Sequence, residues 1–126
     1  SEVITQKFVG NDNEIVVVMM DSSLESRLIE QAQQGGLNSN TLGLNPNRVE
    51  QLYKSASGTF EDMIHQGHDP ILLTSPVLRN TLFEFLAPIL PDINVLSYND
   101  ISQNVQFQTF DRLRIEQAEL NEPVTA

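Results

Sequence analysis

The 126-residue chain contains no cysteine and no tryptophan, and aromatic residues make up only 6% of it. The first absence excludes disulfides, thiolate metal ligands and cysteine nucleophiles, and it fits a reducing compartment. The second leaves the core to be built mainly from Val, Ile and Leu. Basic residues are scarce too: seven Lys and Arg stand against seventeen Asp and Glu, for a formal net charge of -10. Nucleic acid and anionic lipid surfaces need the opposite sign, so neither is expected as a partner. Such a charge draws in basic proteins at long range, and it also keeps a chain soluble. No apolar run approaches the roughly 20 residues of a membrane helix. Ile15 to Met20 is far shorter, the opening residues lack a leader pattern, and the chain as it stands is expected to be soluble.

What is present reads as one α/β subdomain over residues 1–111, followed by a flexible tail over 112–126 that carries little core. Val3 to Val9 is β-prone, Gly10 to Asn13 supplies turn chemistry, and Glu14 to Met20 is almost wholly apolar, which together suggest an N-terminal hairpin. A strand apolar on both faces is expected at the centre of a sheet, with helices on both sides. Asp21 or Ser22 then caps a helix, with Ser22 and Glu25 at capping-box spacing and Leu24, Leu28, Ile29 and Ala32 on its buried side. Gly35-Gly36 ends it, and residues 35–45 form a polar, glycine-bearing loop.

The next helix has the clearest signature. Asn45 is a good N-cap, Pro46 suits the first helical position, and Gly67 closes the element. Between them Val49, Leu52, Tyr53, Ala56, Phe60, Met63 and Ile64 recur at three- and four-residue steps, with Gly58 opposite at ~180°. From Ile71 the pattern is strand, helix, strand: Ile71 to Leu73, a helix from Pro76 capped by Thr74 or Ser75, then Ile93 to Leu96. Such a βαβ unit crosses over right-handed. Leu78, Leu82, Phe85, Leu86 and Ile89 line one face of its helix, and Pro88 stops or kinks it near Ala87. Val105, Phe107 and Thr109 alternate with glutamines, as in a half-exposed edge strand. The expected class is therefore α/β: a small mixed sheet of about four to five strands, made of the hairpin plus the βαβ unit, under about three helices.

Chemistry is sparsely marked. His65 and His68, with Asp62 and Asp69 nearby, have a metal-like composition, but Gly67 ends the helix between them and His65 faces water. They read as polar residues at a helix C-terminus, where a protonated His meets the dipole favourably. Ser75 and Ser97 each follow a strand, yet neither lies in a G-x-S-x-G elbow or has a histidine near it in sequence. Ser75 before Pro76 reads as a cap. Gly35-Gly36 follows a helix, whereas a phosphate loop precedes one. No catalytic, metal or cofactor-binding residue is assigned, and no cofactor is expected. The stretch Val95 to Asp100, VLSYND, raises two possibilities, because ligands gather past the carboxyl ends of strands in α/β sheets. Ser97, Tyr98, Asn99 and Asp100 form either the lip of a small enzyme or ligand-binding regulatory domain, or a turn built from side-chain hydrogen bonds. Phe83 lies ~120° from the centre of the apolar stripe, with Arg79 on its rim, so either a neighbouring layer covers it or it lies on an exposed contact surface. Phe83, Arg79 and Tyr98 are thus the candidate protein-contact residues.

Several spaced elements resemble the C-terminal part of the bacterial type III export-gate family, which has a flagellar and a virulence branch. These are L-N-P at Leu44 to Pro46 and its following helix, Gln66-Gly67 with Pro70, and L-L-T-S-P-x-x-R, placing Leu72, Leu73, Thr74, Ser75 and Pro76 before Arg79. Then come Pro91-Asp92 and V-L-S-Y-N, which is Val95, Leu96, Ser97, Tyr98 and Asn99, followed by an acidic residue and Ile101. The likeness is strongest over residues 44–110, and Asn99 looks more like the flagellar branch. Pro88 departs from the family, whose helix continues there. The resemblance implies a non-enzymatic assembly and protein-binding module, the last subdomain of the cytoplasmic region of an inner-membrane protein. Family members form a homo-oligomeric ring below the export channel and receive other export-apparatus proteins and chaperone–substrate complexes. On this reading the fragment itself makes no membrane contact, and the motif positions named above are structural.

Overall fold

A computed structural model of the chain describes residues 7–116. Its centre is the apolar run β1 (Glu14–Met20), flanked on both sides. The order is β3-β2-β1-β4, with β2 at Ile71–Thr74, β3 at Asn94–Ser97 and β4 at Gln106–Leu113. Every pairing is parallel: Val18 opposite Leu72, Leu72 opposite Val95, and Ile15 opposite Phe107. Among the described residues, the α/β class, the four strands and the three helices that follow β1 are as expected, while the mixed strand direction is corrected to a parallel sheet.

The N-terminal hairpin is corrected for the same reason. Both edges of β1 are taken by β2 and β4, so no edge is left for an antiparallel partner. Lys7 and Phe8 are helical, and the remainder of the expected first strand, residues 3–6, lies outside the described residues. The Gly10 to Asn13 turn does form, with Asn13 N–H donating to the Gly10 carbonyl at 3.0 Å and Asn13 itself at φ 62°. It feeds β1 rather than reversing a strand.

Three helices follow from the caps and stripes: α1 (Ser22–Gln33), α2 (Pro46–His65) and α3 (Pro76–Leu86). Asp21 caps α1, its Oδ2 accepting from Leu24 N–H, and Asn45 caps α2, accepting from Arg48 N–H at 2.9 Å. All three pack on one face of the sheet, where Leu24, Leu28, Leu52, Ala56, Phe60, Met63, Leu78, Leu82, Phe85 and Leu86 meet Val18, Leu72 and Val95. That sidedness follows from topology. The β1–β2 and β2–β3 crossovers step the same way across the sheet, and right-handedness puts both on one face. The return from β3 to β4 steps the other way, so it crosses the opposite face. There Ile101 and Val105, with Phe8 and Met19, cover Ile15, Val17, Ile71, Leu73 and Leu96. On this second face the cover among the described residues is this connector together with Phe8, which is helical.

Local details sharpen other expectations. α3 stops at Leu86 with Ala87 as its C-cap, as Pro88 requires, so Ile89 falls beyond the helix and is exposed rather than lining its stripe. Ile64, expected on the buried side of α2, is also exposed. The loop called polar buries Leu42 and Leu44. β4 runs past the expected boundary at residue 111: Arg112 and Leu113 pair with β1, and Leu113 is in the core. Arg114 and Glu116 donate backbone N–H groups to Ser55 Oγ and Gln51 Oε1 on α2.

Candidate functional site

Because the sheet is parallel, all four strands end on one side, and the notable polar residues gather there. Met20 leads into Asp21, β2 ends at Thr74, β3 ends at Ser97, and β4 ends at Leu113. The organising group is one the sequence reading missed. Glu25 was paired with Ser22 as a capping box, but Asp21 takes the cap and leaves the Glu25 carboxylate to reach across the sheet ends. It accepts the Thr74 hydroxyl at 2.8 Å, the Ser75 backbone N–H at 3.2 Å and the Tyr98 hydroxyl at 3.2 Å. These partners lie 49, 50 and 73 residues away in the chain. The signal available in the sequence was Asp21, a competing cap one residue earlier.

The VLSYND stretch is a tied turn. Ser97 is buried, and Tyr98–Asp100 forms a single 3-10 turn after it. Asp100 Oδ2 accepts the Ser97 backbone N–H at 2.8 Å and the Ser97 hydroxyl at 3.2 Å. Burial pushes the Asp100 carboxyl up, but hydrogen bonds to its charged form, Ser97's among them, outweigh this and hold it below the usual value. The Tyr98 phenol is pushed up to about 12, first by burial and then by the charge of Glu25 and the hydrogen bond to it; Arg112 partly offsets this. A phenol in that range stays protonated at neutral pH, so Tyr98 acts as a donor to Glu25 and not as a base. The hydroxyls of Thr74, Ser97 and Tyr98 are thus each committed to a carboxylate.

Of the candidate contact residues, the structure brings two together. Arg79 and Phe83 stand one turn apart on α3 and line a cleft of about 270 Å³ with Asn94, Val95, Leu96 and Asp100. β3 pairs only with β2 among the described strands, so this cleft runs beside an open sheet edge. Phe83 is 44% exposed rather than covered by a neighbouring loop. Tyr98 is 40% exposed but does not line the cleft; it sits with Glu25 at the strand ends. Of the motif positions, Leu72, Leu73, Thr74, Val95, Leu96 and Ser97 are buried, while Pro76, Pro91 and Asn99 are exposed. Ser75 starts α3, although its side chain makes no capping hydrogen bond.

Elsewhere, His68 packs edge-on to Phe110 with ring centroids 5.9 Å apart, and His65 occupies the last turn of α2. Among the described residues no group of three or more His, Cys, Asp or Glu side chains could hold a metal ion. No helix among them is long and apolar enough to cross a membrane.

Known proteins give this geometry a context. Flagellar biosynthesis protein FlhA of Proteus mirabilis is 35% identical over 100 residues, covering 79% of this chain and 14% of that protein. FlhA of Bacillus subtilis is 31% identical over 106 residues, covering 84% of this chain and 16% of its own length. The chain therefore spans about a sixth of these relatives. Among solved structures, the CdsV protein of Chlamydia pneumoniae superposes with a TM-score of 0.71 at 28% identity, over 90% of this chain and 32% of that one. CdsV in its complex with CdsO gives a TM-score of 0.72, again at 28% identity, over 89% of this chain and 32% of that one. The profile of the FHIPEP family matches residues 1–106, and with these relatives it establishes that the chain belongs to that family.

Proposed function

We propose that this chain is a non-enzymatic assembly and protein-binding module of a flagellar or type III protein export gate, and that it meets its partner through the α3 face and the open edge of β3. The observation that carries the reading is Phe83, a half-exposed aromatic on α3 beside Arg79, in a cleft against β3, whose one strand partner among the described residues is β2. Aromatic residues, Phe among them, and Arg are enriched in protein–protein interfaces. The commitment of Thr74, Ser97 and Tyr98 hydroxyls to carboxylates supports a structural role for the strand ends over a catalytic one. The likeness to CdsV, solved with CdsO, supports docking of an export-apparatus protein of the CdsO kind.

In the longer protein, the module would stand at the cytoplasmic face of the bacterial inner membrane. It would form part of a homo-oligomeric ring that receives chaperone–substrate complexes. Complementation tests this. Phe83→Asp placed in the full-length gate protein should abolish or strongly reduce export while the protein still accumulates to normal levels. Normal export by that variant would remove the α3 face from the function.

A further inference from the structure

We infer that Glu25 is a positioning residue, whose carboxylate staples α1 to the start of α3 and to Tyr98 and so holds the carboxyl-end surface as one unit. One side chain closes three long-range contacts: Thr74 Oγ1 at 2.8 Å, Ser75 N–H at 3.2 Å, and the Tyr98 hydroxyl at 3.2 and 3.3 Å from its two oxygens. Thr74 is fully buried, so its hydroxyl has no water to turn to if Glu25 leaves. The Ser75 amide belongs to the residue preceding α3, and its bond to Glu25 sets where that helix starts. The Ser75 side chain makes no such contribution; its Oγ is buried with no hydrogen-bond partner among the described residues. Tyr98 belongs to the turn after β3, so its bond fixes the opening of the connector to β4. Hydrogen bonds to a charged acceptor are about twice as strong as neutral ones, which suits a single group tying separate elements. The charged groups bearing on Tyr98 are Glu25 on α1 and Arg112 near the end of β4.

The inference stands apart from partner docking, and its test needs no partner. Tyr53 and Tyr98 are the only tyrosines, so a Tyr53→Phe background leaves the phenolate absorbance of Tyr98 alone to report. In that background Tyr98 should titrate near pH 12. Glu25→Gln, which keeps an acceptor oxygen but no charge, should bring the midpoint down toward the ordinary value. It should not restore it fully, because burial is the largest cause of the shift. Amide exchange at Ser75 should accelerate roughly tenfold in Glu25→Ala, and less in Glu25→Gln, which can still accept the bond. A destabilisation without specific contact to Tyr98 would lower the melting temperature and leave the phenol midpoint where it was. An unchanged midpoint in Glu25→Gln, or Ser75 exchange at the parent rate in both variants, overturns the inference.

Discussion

Two glycines make a matched pair. Gly58 lies in the middle of α2 and Gly67 just after its C-cap, and a methyl group added at either meets nothing within 4 Å. They differ in backbone: Gly67 has φ +89°, and Gly58 lies within a helix. Gly58→Ala should therefore stabilise the chain by about 0.5–1 kcal/mol, since helical Gly costs that much relative to Ala. With an unfolding entropy of about 2.1 cal/mol/K per residue, this raises Tm by about 2–4 °C. Gly67→Ala gains the same reduction in unfolded-chain freedom but suffers the left-handed penalty, about 1–2 kcal/mol, leaving it about 1 kcal/mol worse. Its Tm should fall by about 4 °C. Urea and thermal unfolding followed by circular dichroism read both. A neutral or destabilising Gly58→Ala would mean that the outer face of α2 is packed against something or that the helix breaks there. A stabilising Gly67→Ala would refute the left-handed closure.

Leu82→Ala removes a side chain that is 1% exposed in the main core and should cost about 2–5 kcal/mol in urea denaturation; a loss under about 0.5 kcal/mol would misplace the α3 stripe. Tyr98 also predicts an alkaline dependence. Its folded value lies above the ordinary 10, so between pH 10 and about 12 the folded state keeps a proton the unfolded chain has lost, and stability falls as pH rises through that window. Tyr98→Phe should remove this part of the slope, and parallel pH–stability curves for the two proteins would contradict it.

The three helices and the strands β2 and β3 were legible because their signals are local: Asn45 with Pro46, the four-residue step of Leu52, Ala56 and Phe60, and the Ile71 and Ile93 runs. Arg48 belongs to the same four-residue series and is fully buried, so periodicity could have found it had charge not excluded it. The hairpin was misread because turn residues report only what the chain does next, whereas the partner of β1 on that edge is β4, some 90 residues on. β4 itself is exposed along most of its length, so its alternation carries little hydrophobic contrast; the expected alternation stopped at Thr109 and the subdomain at residue 111, whereas the strand runs to Leu113. The angle of Phe83 left it open between a covered and an exposed position, and only the packing around α3 decided for exposure. The Glu25 cluster was not, since joining α1 to residues 49 to 73 positions away depends on strand order.

The role proposed for the α3 face is tested most directly by calorimetric titration of a purified CdsO-type partner into this chain and into Phe83→Asp. Saturable binding by the parent should weaken by about tenfold or more in the variant, as expected for an interfacial aromatic. Its Tm should stay close to that of the parent, because Phe83 is half exposed. Equal affinity in the two proteins, or no binding by either, would contradict docking at this surface.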